Sequence, residues 1–243
     1  MNGNGLPRKY MRKVWSDMYM LLVNVAALAV GTAVGCLLKA YIPKKLQENS
    51  MMYFSIITLV LGIRLLNRTV NFSAVVIAIL AGGVIGYFLG LDRRVAGLPE
   101  RFASKGSGFD AGTFLTGFTL YCFSTSGILG AMDLGFSGDS TLLVTKAVMD
   151  LLAAVFFAAA GAGWQQMLIT IPLGVILSGL YALSTFLMPY VTPEMIGDFS
   201  GCGGMILVAN ALRMTKLKNP PVIDLIPAMI LVFPISWLWM MFF

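Results

Sequence analysis

A lysine and an aspartate four residues apart, Lys146 and Asp150, stand inside an otherwise apolar stretch. On a helix this spacing puts both side chains on one face. Ionised groups at bilayer depth are costly and mark by default a substrate, ion or proton pathway. Two readings are open. The pair neutralises itself so that a structural helix can enter the membrane. Alternatively it is a site, with Lys146 for an anionic group and Asp150 for a cation or a proton. A self-satisfied pair also makes a good gate, because a ligand or a proton can break it.

Upstream, Ser124, Thr125, Ser126 and Gly127 lie near the middle of another apolar run. Hydroxyls can bond back to their own helix carbonyls. Four small or polar residues in succession also weaken a helix. Freed carbonyls and hydroxyls then suit Na+ or K+, and freed amides suit an anion. Downstream, DFSGCGG at 198–204 offers Asp198 or Ser200 as a helix cap and glycines for a backbone nest or a close crossing. Asn24 and Asn210 are single polar groups inside apolar runs, read first as helix-to-helix bonds and second as pathway contacts. DLGFSGD at 133–139 reads as a turn, since a Ca2+ loop needs more oxygen ligands at fixed spacing. The candidate pathway residues are therefore Asn24, Ser124, Thr125, Ser126, Lys146, Asp150, Ser200 and Asn210.

Other chemistries find little support. Histidine is absent, which removes the commonest general base and metal ligand. Cys36, Cys122 and Cys202 sit in apolar or small-residue surroundings without metal-ligand spacing. There is no nucleophile elbow, phosphate loop or zinc helix, so an enzyme is not expected. The net charge of +6 comes from loop lysines and arginines, which suits membrane orientation and lipid headgroups rather than nucleic acid. No cofactor is expected beyond Na+ or H+ as a coupling ion.

The elements that must position these residues are membrane helices. The chain of 243 residues is 58% hydrophobic and 12% charged, against about 25% charged for a soluble domain. Eight candidate spans read at 18–39, 50–66, 72–91, 112–132, 142–161, 164–188, 198–213 and 222–243. The second and seventh are short for the roughly 20 residues a span needs, and the glycines at 201, 203 and 204 suggest that the seventh is re-entrant or broken. GAGWQQ at 161–166 predicts a tight helical hairpin with Trp164 and both glutamines at the interface. Pro172, Pro227 and Pro234 predict kinks, and Gly82, Gly83, Gly86 and Gly90 predict tight packing, between subunits included. The basic run Arg8, Lys9, Arg12 and Lys13 before the first span resembles a signal peptide, but the apolar run is span-length and more spans follow.

Connectors after spans one, three, five and seven carry Lys39, Lys44, Lys45, Arg93, Arg94, Arg101, Lys105, Arg213, Lys216 and Lys218. The other connectors carry Arg64 and Arg68 beside Asp133, Asp139, Glu194 and Asp198. The positive-inside rule puts the first set in the cytoplasm and both termini outside. The two ends of the chain also share an order: long span, proline, acid, short span, basic connector with asparagine, long span. Pro43, Glu48 and Asn71 match Pro189, Glu194 and Asn219. Spans one to three then correspond to spans six to eight, offset by an odd number of crossings, which makes an inverted repeat of the kind secondary transporters use.

The run GFTLYCFSTSGILGAMDLGFSGDSTLLVTKAVMD at 117–150, with Val23-Asn24, resembles the bacterial membrane proteins grouped as domain of unknown function 554. The resembling positions are Gly117, Phe118, Cys122, Ile128, Leu129, Gly130, Gly138, Asp139, Lys146 and Asp150. This chain departs from the pattern at the amino-terminal extension, at Thr-Ser-Gly before Ile128, at Leu151 and in the polar DFSGCGGM segment. The resemblance implies a multi-spanning inner-membrane protein of transporter type and brings no substrate.

The sequence thus predicts an all-α polytopic bundle of seven or eight spans in one membrane domain, 1–243. Residues 17–98 form the first repeat, 111–162 the central helix pair and 164–243 the second repeat. The expected function is secondary transport of a small polar or charged solute across the bacterial inner membrane. A channel and a non-transporting scaffold or regulator are the alternatives. The expected partners are the lipid bilayer, a small solute or ion, and further copies of the chain, because so small a chain needs help to enclose a pathway.

Overall fold

The computed structural model describes residues 8–96, 111–122, 124–215 and 220–242. The connector residues Arg101 and Lys105, and Lys216, Lys218 and Asn219, lie outside them, as do the side chains of Arg8, Lys9, Arg12, Lys13, Lys44 and Glu48. All regular elements among the described residues are helical. They are α1 (Arg8–Leu37), α2 (Lys44–Leu66), α3 (Phe72–Leu89), α4 (Leu91–Ala96), α5 (Ala111–Cys122), α6 (Thr125–Ser137), α7 (Thr141–Phe157), α8 (Thr170–Leu187), α9 (Pro193–Met214) and α10 (Ile226–Phe242). A π-helical turn, Ala158–Ala162, and a 3-10 stretch, Gly163–Ile169, join α7 to α8.

Among the described residues, five helical stretches are long and apolar enough to cross a membrane: Asp17–Leu37, Phe72–Leu89, Thr141–Tyr190, Pro193–Met214 and Val222–Phe242. Met52–Leu66 adds a shorter apolar segment. With no water in the bilayer core, backbone groups must bond within the chain, so helices are the form such segments take.

Close helix approach comes from glycine. A Cβ at Gly31 or Gly35 would overlap the backbone of Leu151 or Val155, so α1 lies directly on α7. Gly62 of α2 faces the Gly204 carbonyl of α9, and Gly204 faces the Gly62 carbonyl. Gly82 and Gly86 of α3 admit Ala228 and Asp224. Small-residue crossings of this kind let backbones meet where lipid gives little hydrophobic drive. Of the α3 glycines, Gly82 and Gly86 thus serve close packing within the chain, whereas Gly90 has open space beside it. In each pairing, α2 with α9 and α3 with α10, rising numbers on one helix meet falling numbers on the other, so the helices run antiparallel.

Two apolar cores result. One gathers Leu61, Leu65, Val75, Phe136, Phe199 and Met229, with Phe199 stacked on Phe233 at a centroid distance of 5.2 Å. The other gathers Leu28, Tyr121, Leu134, Leu143, Leu173 and Leu177. Helix α6 belongs to both, through Leu129 and Met132 on one side and Ala131 and Leu134 on the other. It joins the two cores.

The seventh span departs from expectation. α9 runs unbroken from Pro193 through its glycines, which the sequence reading took for a break. Glycine costs a free helix about 1 kcal/mol, but here Gly201, Gly203 and Gly204 seat Thr69, Leu129 and Gly62, and packing outweighs propensity. Thr192, rather than Ser200 or Asp198, caps the helix by accepting from the Met195 amide at 3.3 Å. Pro172 and Pro227 stand in first turns, where no amide partner is needed, and only Pro234 lies inside a helix. Asp133 belongs to α6 rather than to the following turn, which forms at Gly138 with φ 75°.

Candidate functional site

The stretch expected to be the fourth span divides into two helices. α5 ends at Cys122, Ser124 is extended (φ −66°, ψ 122°) and α6 starts at Thr125. The break falls at the head of the Ser-Thr-Ser-Gly run: Ser124 stands outside α6, and Thr125, Ser126 and Gly127 form its first turn. The break leaves the last carbonyls of α5 and the first amides of α6 without intrahelical partners inside the bundle. The two half-helices also bring the negative end of one dipole and the positive end of another to the same place.

Lys146 enters this gap from α7. Its side chain runs across Gly127 in the first turn of α6, where a Cβ would stand 2.7 Å from the lysine Cε. The ammonium donates to the Tyr121 carbonyl at 3.3 Å, at the open end of α5, and to the Asp150 carboxylate. Lys146 is 1% exposed and Asp150 8%. The cation is held by one full negative charge and by the carbonyl end of a half-helix. Breaking such a buried pair from one side leaves an uncompensated charge.

The surroundings are polar on selected sides. The Tyr121 hydroxyl accepts from Gln166 Nε2 at 2.9 Å, which leaves the buried Gln166 Oε1 without a donor. Ser124 and Ser126 share a hydroxyl bond of 2.7 Å, and the Ser124 side chain makes no capping bond to α6. One turn from Lys146 along α7, the Leu143 carbonyl accepts from Asn24 Nδ2 at 3.0 Å, and Asn24 Oδ1 is buried without a donor.

The structure therefore groups Lys146 and Asp150 with Gly127 of the Ser124–Gly127 run, and brings Asn24 to the same helix. Ser200 and Asn210 sit on α9, and the bonds they make stay within that helix. Ser200 bonds back to the Ile196 carbonyl at 2.9 Å, and Asn210 reaches the Met214 sulfur at 4.0 Å. The expectation that Ser200 lines a pathway drew on a broken seventh span, and α9 is unbroken; for Asn210 the contact is within its own helix, without the helix-to-helix bond expected of it. Tyr121 and Gln166 are additions that the sequence reading missed. Gln166 was expected at the interface and is buried because the segment after the π turn folds back on α1 and α5. Nothing local in the sequence signals it.

Two ionic clusters lie elsewhere in the fold. Arg68, after α2, bonds Asp133 at 2.8 Å and Asp139. Asp139 loses some solvation by partial burial, but hydrogen bonds from Thr141 and Arg68 outweigh this and lower its pKa to about 2. Arg213 bonds Asp92 at 2.7 Å, and the Asp92 amide donates to Asp224 at 2.8 Å. Asp198, 0% exposed, accepts from the Val70 and Asn71 amides, the Asn71 side chain and Ser236. It fastens α9 to the start of α3 and to α10.

Among known proteins, a family model described as "Protein of unknown function (DUF554)" matches residues 20–237. The chain is 31% identical over 229 residues to "Uncharacterized protein YqgA" of Escherichia coli (strain K12), covering 91% of this chain and 97% of that protein. It is 21% identical over 229 residues to "Uncharacterized membrane protein YdfK" of Bacillus subtilis (strain 168), covering 88% and 93%. No solved structure matches.

Proposed function

The chain belongs to the DUF554 family of proteins of unknown function, and from that premise we propose that it is a secondary transporter of a small polar or charged solute in the bacterial inner membrane. The observation that carries the reading is the Lys146–Asp150 pair, buried beside a helix broken at mid-course. A membrane helix gains nothing in packing from an ionised pair that apolar residues could replace. A broken helix with an ion pair at its open ends can recognise charge at bilayer depth.

The helix pairing supports an inverted repeat. α2 packs antiparallel on α9 and α3 antiparallel on α10, which are the second and third spans of the proposed copies. Gly174 of α8 lies 3.3 Å from Val25 of α1 by its Cβ position, and Tyr181 of α8 donates to Asp17 of α1 at 3.0 Å, so the first spans also meet head to tail. Eight crossings follow if α5 and α6 share one. Lys39, Lys45, Arg93, Arg94 and Arg213 then fall at one end and both termini at the other, and the positive-inside rule assigns the basic end to the cytoplasm.

The test is solute counterflow in proteoliposomes, screened over a panel of small acids, amines and zwitterions. Saturable counterflow by the wild type, lost in Asp150→Asn and in Lys146→Met protein that still inserts and folds, is the expected result. Unchanged flux in both variants removes the pair from the mechanism.

A further inference from the structure

We propose that Asp150 and Lys146 form a joint site for one proton and one small anion, so that the carrier moves an anion together with a proton. The movement half rests on the transport reading above; the binding half does not. In the structure the two charges cancel. A proton that binds the Asp150 carboxylate forms an O–H bond and abolishes the negative charge. Lys146 then remains a buried ammonium without a countercharge among the described residues, held by neutral acceptors such as the Tyr121 carbonyl. Such a charge is costly at this depth, and an anion bound to Lys146 restores neutrality. Each ligand alone is unfavourable and both together are not, which is the thermodynamic form of coupling.

Among the described residues, no other group shown near the pair takes over the compensation. From α5, Tyr121 and Cys122 face it, and neither is an anion at neutral pH. On α1, Asp17 is engaged by Tyr181, and Cys36 lies toward the opposite end. At the α2 end of α7, Asp133 and Asp139 are held by Arg68, with Arg64 beside Asp139. The incoming anion has donors waiting. The lysine stem lies against the first turn of α6, where the Thr125 and Ser126 amides have no intrahelical acceptor. The buried Gln166 Oε1 beside the Tyr121 hydroxyl lacks a donor, which a water on the proton's route would supply. A sodium ion would have to displace a tethered ammonium from the same carboxylate, whereas a proton needs no space.

The experiment reads anion binding by thermal shift on purified wild-type protein, with sodium acetate and sodium chloride titrated against sodium gluconate at constant ionic strength. If one proton accompanies each anion, the apparent dissociation constant of the wild type falls about tenfold per unit fall in pH. Asp150→Asn, which mimics the protonated acid, binds the anion with no such pH dependence. The double variant Lys146→Met/Asp150→Asn shows no saturable response and controls for surface arginines. Wild-type protein with no pH-linked anion response beyond that of the double variant overturns the proposal, even if Asp150→Asn fails to fold. An intact response in protein without counterflow of any solute keeps the site and sinks the transport reading instead.

Discussion

Replacing Lys146 by methionine removes a charge while keeping an unbranched stem of similar length over Gly127, so packing above the α6 first turn is largely retained. What is lost is the ammonium that neutralises Asp150 and caps the Tyr121 carbonyl. Asp150, 8% exposed, is then a carboxylate without a countercharge. Removing one partner of a buried pair costs about 3–5 kcal/mol, whereas replacing both by neutral groups is often close to neutral. Lys146→Met and Asp150→Asn should therefore each destabilise by several kcal/mol, and the double variant should lie within about 1 kcal/mol of the wild type. The coupling energy from the four proteins, the sum of the two single costs less that of the double variant, should therefore reach about 5 kcal/mol or more, above the roughly 0.5–3 kcal/mol usual for residues in contact. The assay is reversible unfolding in mixed micelles, followed by the fluorescence of the tryptophans on α8's approach and on α10. A coupling energy below about 0.5 kcal/mol, the level expected of independent sites, would refute the reasoning, because the pair would then not be holding its charges against each other.

Other perturbations follow from the same contacts. Gly86→Leu places a side chain where α3 meets the Asp224 backbone; overpacking of this kind costs about 1–3 kcal/mol, and the folded yield in membranes should fall accordingly. Gly90→Leu, at a helix end with open space around it, tests strain alone, since φ is +59° there; a loss of about 1 kcal/mol in the same unfolding assay is expected. Asp198→Ala leaves two backbone amides, the Asn71 side chain and Ser236 without their acceptor; at about 1–3 kcal/mol for each buried orphan, amide exchange at the start of α3 should accelerate strongly. Asp139 has a folded pKa of about 2 against an ordinary 3.8, so its contribution is present above 3.8 and is lost as pH falls through about 2. A melting curve of Asp139→Asn should accordingly show less acid destabilisation over that window than the wild type.

Residue order alone settled the class of the molecule and most of its spans. Apolar runs of span length leave the backbone no form but helix, so α1, α3, α7, α8 and α10 were legible without coordinates. A weak point near Ser124 was legible too, because Ser124 to Gly127 are poor helix formers, but that the helix divides there while α9 continues through its own glycines was decided by packing. The Lys146–Asp150 contact needed only the helical period.

The rest was decided in three dimensions. Four glycines and small residues at the head of α9 look like a break in one dimension, and become a continuous helix once Thr69, Leu129 and Gly62 fill the space that side chains would occupy. The roles of Tyr121 and Gln166 depend on a segment that returns to the open end of α5 from 45 residues away, and no local pattern encodes such a meeting. Asp198 shows the same limit: its partners at Val70, Asn71 and Ser236 come from two other parts of the chain. Local propensity and periodicity fix which segments enter the membrane. Which polar group each of them meets there depends on helix packing, and that is a property of the assembled bundle.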